Sequence, residues 1–366
     1  MRASVLNDAA LVKRAGQFAW LSIDSDKPVN AAISAKLAAE GVPVFAVIDP
    51  ATEKVALSWY GSATAVQLAA LADDGARVIS GRASGPEAIL ARADEANAHK
   101  DYKDAAAFYE QSLKAGGEKW PKRQRVLESL IMAQTFAHDT DACAETALRE
   151  APTMSRDRSF VNVVYFGLGC AKDGTPQMKS LLQLAEEAVK IPGVLSDDTS
   201  QLYGELVYHY RQEKDDAAMN RAANAWLGYL RGELAKATTP DARLALDLQL
   251  ASAANALHKP ELALPEIERA ERELPNEYMP PRTLAGLFAN MGRFDDAMNA
   301  CGRALSRAVG EPRLRVYNMC GGILQRKGDN AAAKKLLEEG IAYGRTLPEG
   351  VGKSAMQALQ TTLGKL

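Results

Sequence analysis

The feature that most constrains the fold is a pattern of small and large residues that recurs after 36 residues (284 to 320) near the C-terminus. The first copy consists of a large residue beside a small one, an aromatic residue, a glycine turn and two alanines, at Leu284, Ala285, Phe288, Gly292, Ala297 and Ala304. The second copy has Cys320, Gly321, Leu324, Gly328, Ala333 and Gly340 at the matching positions. Residues three, four and seven positions apart share one face of a helix. The pattern therefore predicts amphipathic helices that are paired across a tight turn.

This spacing resembles the tetratricopeptide repeat (TPR) family, in which each repeat is a hairpin of two helices. A weaker copy lies earlier in the chain, at Ala93, Ala96, Tyr102, Ala105, Tyr109 and Leu113. Between the clear copies, further hairpins are predicted at 121–152, 158–192, 199–237 and 241–274. One hairpin cannot bury its apolar face alone, so the resemblance implies a stacked array of about seven hairpins that binds a protein or peptide.

The N-terminal residues have a different pattern. Phe18–Asp24 and Val44–Asp49 are short apolar runs typical of buried strands, and Val55–Gly61 is expected to pair with the second run as a hairpin. Helices are predicted at Val29–Glu40 and Thr64–Ala72. The glycines and serines just before Pro86 mark a connector. We therefore predict an α/β segment at 1–80, a linker at 81–85 and helical repeats at 86–366.

The order of these elements resembles the C-terminal half of the thioredoxin fold, with Ile23-Asp24 ending a central strand and Tyr60-Gly61 before the last helix. The segment Val42-Pro43-Val44-Phe45 matches the element in which that family has a cis proline. The resemblance implies that Val42 and Pro43 contact a bound peptide. The predicted fold class is thus mainly α, a TPR-like α-solenoid preceded by a partial thioredoxin-like α/β segment.

The family's reactive Cys-x-x-Cys is absent from residues 1–366. Its position would fall at or before Met1, so either the assigned start is too late or the segment is a vestigial half-domain. In either case residues 1–80 should be incomplete alone. They would need upstream residues, or docking onto the first helical hairpins near Ile89 and Phe108.

Composition excludes several functions. The net charge is −2, so no basic surplus indicates nucleic acid. No stretch reaches the roughly 18 apolar residues of a membrane span. The histidines are scattered and none lies near a cysteine at metal-ligand spacing, so we predict no metal site. The sequence also shows no Ser/His/Asp set, so we predict no catalytic residue, and we predict no cofactor. The sequence as printed predicts a cytoplasmic protein, and an upstream signal sequence would instead indicate the periplasm or cell envelope.

The cysteines and the aromatic residues each leave two alternatives. Cys301 and Cys320 are expected to be buried thiols. Cys143 and Cys170, on consecutive predicted hairpins, either pack in the core or have a disulfide or redox role. The aromatic-rich stretch containing Tyr203, Tyr210, Trp226 and Tyr229 is either a core stripe or a peptide groove.

The leading functional hypothesis is a scaffold that binds a protein or peptide. The alternative is a thiol-disulfide oxidoreductase whose dithiol lies upstream of the printed start, because a reactive dithiol normally sits at an exposed helix N-terminus.

Overall fold

A computed structural model describes residues 8–14, 16–24, 27–30, 32–33, 37, 43–61, 63–348 and 350–366. The chain is mainly helical and divides into two compact units. The first unit comprises Met1–Trp20 and Leu37–Ala222, and the second comprises Leu21–Lys36 and Ala223–Leu366.

The N-terminal part of the first unit contains a short helix, a two-stranded hairpin and a longer helix: α1 (Ala9–Val12), β1 (Val44–Ile48), β2 (Val55–Tyr60) and α2 (Ala65–Ile79). The strands pair antiparallel, with Val44 opposite Tyr60. At the turn, the Asp49 carboxylate accepts hydrogen bonds from Ala51 N and the Thr52 hydroxyl. The predicted hairpin and closing helix are therefore confirmed.

The first predicted strand is wrong. No strand forms over residues 16–24, and Trp20 and Leu21 are 47% and 81% exposed. An apolar run becomes a strand only where a neighbouring strand takes up its backbone hydrogen bonds, and the described sheet pairs β1 with β2 alone. The predicted helix at Val29–Glu40 falls mostly outside the described residues, which show a 3-10 turn at Pro28–Asn30.

The rest of the first unit is built of helical hairpins. Its helices are α3 (Pro86–Ala98), α4 (Tyr102–Gly116), α5 (Arg123–Phe136), α6 (Thr140–Glu150), α7 (Arg158–Cys170), α8 (Pro176–Ala188) and α9 (Ser196–Gln212), with a 3-10 turn at Ala151–Thr153. The next helix, α10 (Asp216–Leu234), contains the boundary between the two units.

Strand β2 packs on the first of these helices. The Ser58 hydroxyl donates to Asp94 O over 3.4 Å, and the Tyr60 hydroxyl donates to Asn97 O over 3.5 Å. The Tyr60 ring meets the Phe136 ring edge to face at 6.0 Å. The sheet is thus docked on α3 and α5 through Asp94, Asn97 and Phe136, whereas the prediction named Ile89 and Phe108.

The second unit continues the hairpins with α11 (Pro240–Ala256), α12 (Leu264–Glu273), α13 (Met279–Asn290), α14 (Phe294–Arg307), α15 (Gly310–Lys327), α16 (Asn330–Gly344) and α17 (Lys353–Leu363), and a 3-10 turn lies at Pro260–Ala263. Small residues allow close helix packing: Ala297 and Ala304 are fully buried. A Cβ added to Gly321 would lie 2.6 Å from the Leu337 side chain. The small positions of the repeat are therefore confirmed as close helix crossings.

The four cysteines form two disulfides, Cys143–Cys170 in the first unit and Cys301–Cys320 in the second. Each bond joins the second helix of one hairpin to the first helix of the next. The expectation that Cys301 and Cys320 are separate buried thiols is therefore wrong, and the pairing alternative holds for Cys143 and Cys170. Helical periodicity places all four residues in the core, but it does not show which of them face each other.

Candidate functional site

The first helices of two consecutive hairpins in the second unit present a matching row of residues. On α13 the row is Arg282, Gly286 and Asn290, and on α15 it is Asn318, Gly322 and Arg326; we call these six residues the polar face. Residues four apart lie on one side of a helix, and each α15 residue follows its α13 counterpart by 36 positions. All six are half-buried or exposed.

Hydrogen bonds connect the two rows. Arg326 Nη1 donates to Asn290 Oδ1 over 3.1 Å, and Arg326 Nη2 donates to Ala289 O over 2.8 Å. Asn290 Nδ2 in turn donates to Asn255 Oδ1, on α11, over 2.9 Å. One chain of polar contacts therefore crosses three successive first helices.

Two glycines leave space in the middle of the polar face. Among the described residues, nothing beyond the local backbone lies within 4 Å of a Cβ placed on Gly286 or Gly322. One turn before Gly322, Asn318 is half-buried, but its Oδ1 atom is shielded from solvent and has no hydrogen-bond partner within the described parts of the chain. A buried carbonyl without a donor costs free energy, so this oxygen is a candidate acceptor for a donor supplied by a bound molecule.

An ion pair with one buried partner joins α11 to α12, which are close to the polar face in the sequence. Asp247 is fully buried, and both of its carboxylate oxygens accept from Arg269 Nη2 over 3.0 Å. Burial raises the pKa of Asp247 to about 6, although the Arg269 guanidinium opposes the shift.

The raised pKa of Asp247 predicts how the stability of the second unit depends on pH. Because the folded-state pKa of about 6 exceeds the unfolded value of about 4, the contribution of Asp247 to stability is complete below pH 4 and is lost as the pH rises through 6. The unfolding free energy of the wild type, minus that of Asp247→Asn, should fall by about 2 kcal/mol between pH 4 and 7, as measured by urea titration.

Asp295 provides a control of opposite sign. Its exposed carboxylate accepts a hydrogen bond from Lys327 Nζ over 2.6 Å, which lowers its pKa. The unfolding free energy of the wild type, minus that of Asp295→Asn, should therefore rise slightly with pH. If the unfolding free energy of the wild type, minus that of Asp247→Asn, also rises with pH, burial does not raise the pKa of the Asp247 carboxylate.

The peptide-contact residues implied by the thioredoxin resemblance are only partly visible. Val42 lies outside the described residues. Pro43 directly precedes β1, and its carbonyl oxygen accepts a hydrogen bond from Gly61 N over 2.9 Å. Its role in peptide binding stays a prediction.

The four aromatic residues of the predicted groove differ in burial. Tyr203 and Trp226 are 9% and 7% exposed, which favours the core alternative for these two. Tyr210 and Tyr229 are half-buried, and the Tyr210 hydroxyl donates to Glu186 Oε1 over 2.6 Å. Burial and this hydrogen bond raise the pKa of Tyr210. Tyr203 and Tyr210 belong to the first unit and the other two to the second, so the groove stays a prediction.

A buried charge cluster in the first unit was not predicted from the sequence. Arg158 on α7 donates from Nη1 to Glu128 Oε1 over 2.9 Å and from Nε to Asp198 Oδ2 over 2.7 Å. Each of the three side chains is at most 6% exposed. The Arg158 guanidinium carbon also lies 5.8 Å from the centre of the Trp59 ring. The cluster thus joins three first helices to the N-terminal sheet.

Within the described residues, no helix combines the length and apolar character needed to cross a bilayer. The same residues hold no group of three or more histidines, cysteines or carboxylates placed to bind a metal ion.

Comparison with known proteins gives similarity to solved helical-repeat structures. No family model and no curated protein matches the chain. A tetratricopeptide repeat protein from Parabacteroides merdae matches 75% of this chain and 98% of its own, at 12% identity and a TM-score of 0.46. YrrB, a TPR protein with an unusual peptide-binding site, matches 61% of this chain and 100% of its own, at 17% identity and a TM-score of 0.32. Yeast Tom70 matches 76% of this chain and 64% of its own, at 12% identity and a TM-score of 0.36. These similarities assign the chain to no family.

Proposed function

We propose that this protein is a TPR-type scaffold that binds a segment of a partner polypeptide on the polar face of α13 and α15. The observation that carries the proposal is the open space over Gly286 and Gly322, with the unpartnered Asn318 Oδ1 one helical turn from Gly322.

The glycines support a binding surface because they have no packing role at these positions. A glycine inside a helix costs about 1 kcal/mol relative to alanine. At Gly321 the neighbouring Leu337 excludes any side chain, but at Gly322 the space is open. Glycine in such a place lets another backbone approach closely. A peptide backbone there would offer N–H donors to Asn318 Oδ1 and carbonyl acceptors to Arg326.

Substitution of the two glycines tests the proposal. We expect Gly286→Trp and Gly322→Trp to fold and to weaken the binding of peptides selected from a display library on the full chain by at least about tenfold, which is about 1.4 kcal/mol. Calorimetric titration measures this loss. Gly322→Ala should instead raise the unfolding free energy by about 0.5–1 kcal/mol.

Gly302 is a matched control, because it is an exposed glycine inside α14, a second helix, with the same open space around it. Gly302→Trp should leave peptide binding within about twofold of the wild type. Equal losses in the Gly302 and Gly322 variants would refute the polar face as the binding surface.

We also propose that the protein matures in an oxidising compartment, such as the periplasm or cell envelope. Disulfides form and persist in such compartments and are rare in the cytosol, and both cysteine pairs are joined. Alkylation of thiols before cell lysis tests this: four blocked cysteines would contradict it.

We keep only part of the thioredoxin resemblance in this proposal, namely the order of its elements and the domain boundaries. The order β1, β2, α2 is compatible with the end of that fold, and the boundaries 1–80, 81–85 and 86–366 are retained as the proposed domains. The oxidoreductase alternative depends on a dithiol outside the printed sequence, since the four cysteines within it are paired.

A further inference from the structure

A cleft of about 340 Å³ lies in the first unit between α2 and the start of α5. Its apolar lining comes from Trp59, Ala70, Leu71 and Pro121. This volume is at the lower end of the range of small-molecule sites, which is about 300–1,000 Å³. The cleft is therefore large enough for a compact ligand with an apolar body.

The acidic residues of the cleft are already bonded to cations. Asp73 accepts from Arg14 Nε and Nη2 over 2.9 and 2.7 Å. Asp74 pairs with Arg77 and accepts from Lys122 Nζ over 2.9 Å. Their charges are thus compensated within the protein.

Arg125 differs, because its guanidinium has donors left over. Its Nη2 donates to the buried Asp94 Oδ2 over 2.7 Å. Its Nε and Nη1 are buried and have no hydrogen-bond partner in the described part of the chain. An arginine offers five N–H donors, and buried donors without acceptors cost free energy. Arg125 lines the cleft, so an acceptor that enters from the cleft and reaches these donors would satisfy them.

The helix that carries Arg125 adds a second source of positive potential. Pro121 and Lys122, at the start of α5, line the same cleft. Lys122 is the N-cap residue, and no side chain caps this helix end. The free N–H groups of a helix N-terminus attract a negative charge.

We propose that this cleft binds a small organic monocarboxylate, with the carboxylate at Arg125 and the N-terminus of α5 and the apolar body against Trp59, Ala70 and Leu71. The inference is independent of the polar face, which belongs to the second unit.

The test uses the full chain and a panel of probes: hexanoate, 3-phenylpropionate and N-acetyl-L-phenylalanine, each beside its neutral amide. Ligand-detected NMR and calorimetry measure the dissociation constants. At least one acid should bind with a stoichiometry of one, and its amide should bind at least about tenfold more weakly, because a hydrogen bond to a charged group contributes more than a neutral one.

Two variants locate the binding. Arg125→Lys keeps a cation beside Asp94 but removes the free guanidinium donors. Ala70→Trp, at an exposed position of α2, fills the cleft from the other side and does not depend on the Asp94 pair. Each should weaken binding at least about tenfold. Val66 lies one turn earlier on α2, is 75% exposed and is outside the cleft lining, so Val66→Trp should leave the affinity unchanged.

Several results would overturn the proposal. They are the failure of every acid to bind, equal affinity for acid and amide, and an affinity that Ala70→Trp leaves unchanged. Equally tight binding of inorganic phosphate would show a simple anion site and refute the apolar part. If only longer peptides with a free C-terminal carboxylate bind, the ligand class is wrong.

Discussion

Replacing Arg158 with methionine is expected to lower the unfolding free energy by about 3–5 kcal/mol at pH 7, because it removes one partner from a buried charge cluster. Glu128 on α5 and Asp198 on α9 would both lose a charged donor while remaining buried. The variant should thus be among the most destabilised single substitutions in the first unit.

The geometry explains why this loss should be large. Glu128 also accepts hydrogen bonds from Ser159 Oγ over 2.9 Å and from Asn162 Nδ2. These neutral donors remain in the variant but cannot balance a negative charge. Burial already raises the pKa of Glu128, and Arg158 is the main group that opposes the shift. Without Arg158 the pKa should rise further, so the loss should become smaller as the pH falls and the carboxylates take up protons.

Arg149→Met is the matched control. Arg149 is 60% exposed and donates from Nε to Glu150 over 2.9 Å. An exposed ion pair contributes at most about 1 kcal/mol, so this variant should unfold near the wild-type urea concentration. Urea titrations followed by circular dichroism compare the two. A loss below about 1 kcal/mol for Arg158→Met would mean that water reaches the cluster.

The repeats could be predicted because their signal is local. Ala297, Cys301 and Ala304 recur at helical spacing, and all three are fully buried. The same 36-residue comparison that relates Ala297 to Ala333 also relates Gly286 to Gly322. The polar face was nevertheless not predicted, because the repeat register alone does not show that the space over these glycines is open.

The charge cluster could not be predicted, because its partners are distant in sequence. Glu128 and Asp198 lie 30 residues before and 40 residues after Arg158. Each charge taken alone resembles part of a solvated helix face, and only the packing of α5, α7 and α9 brings them together. The strand predicted at Phe18–Asp24 was wrong for a related reason. Apolar composition indicates burial, but a strand also needs a neighbouring strand to pair with.

Removing either disulfide is expected to cost about 3 kcal/mol, the typical contribution of a bridge closing a loop of this order. Cys143 and Cys170 are 27 residues apart, and Cys301 and Cys320 are 19 apart. Each bond reduces the conformational entropy of the unfolded chain and joins two consecutive hairpins. Because Cys143, Cys301 and Cys320 are fully buried, alanine is the suitable replacement, since it adds no buried hydroxyl without a partner.

Two double variants, Cys143→Ala with Cys170→Ala and Cys301→Ala with Cys320→Ala, isolate the two bonds. Thermal and urea unfolding of each double variant should show the loss. Reduction of the wild type with a phosphine should reproduce it, whereas the variant lacking all four cysteines should not respond to the phosphine. That insensitivity separates the loss of the bond from other effects of reduction. If complete reduction leaves the unfolding of the wild type unchanged, the disulfides do not stabilise the fold. In that case the packing of consecutive hairpins, for example Ala147 against Gly167, would hold the array together without the covalent links.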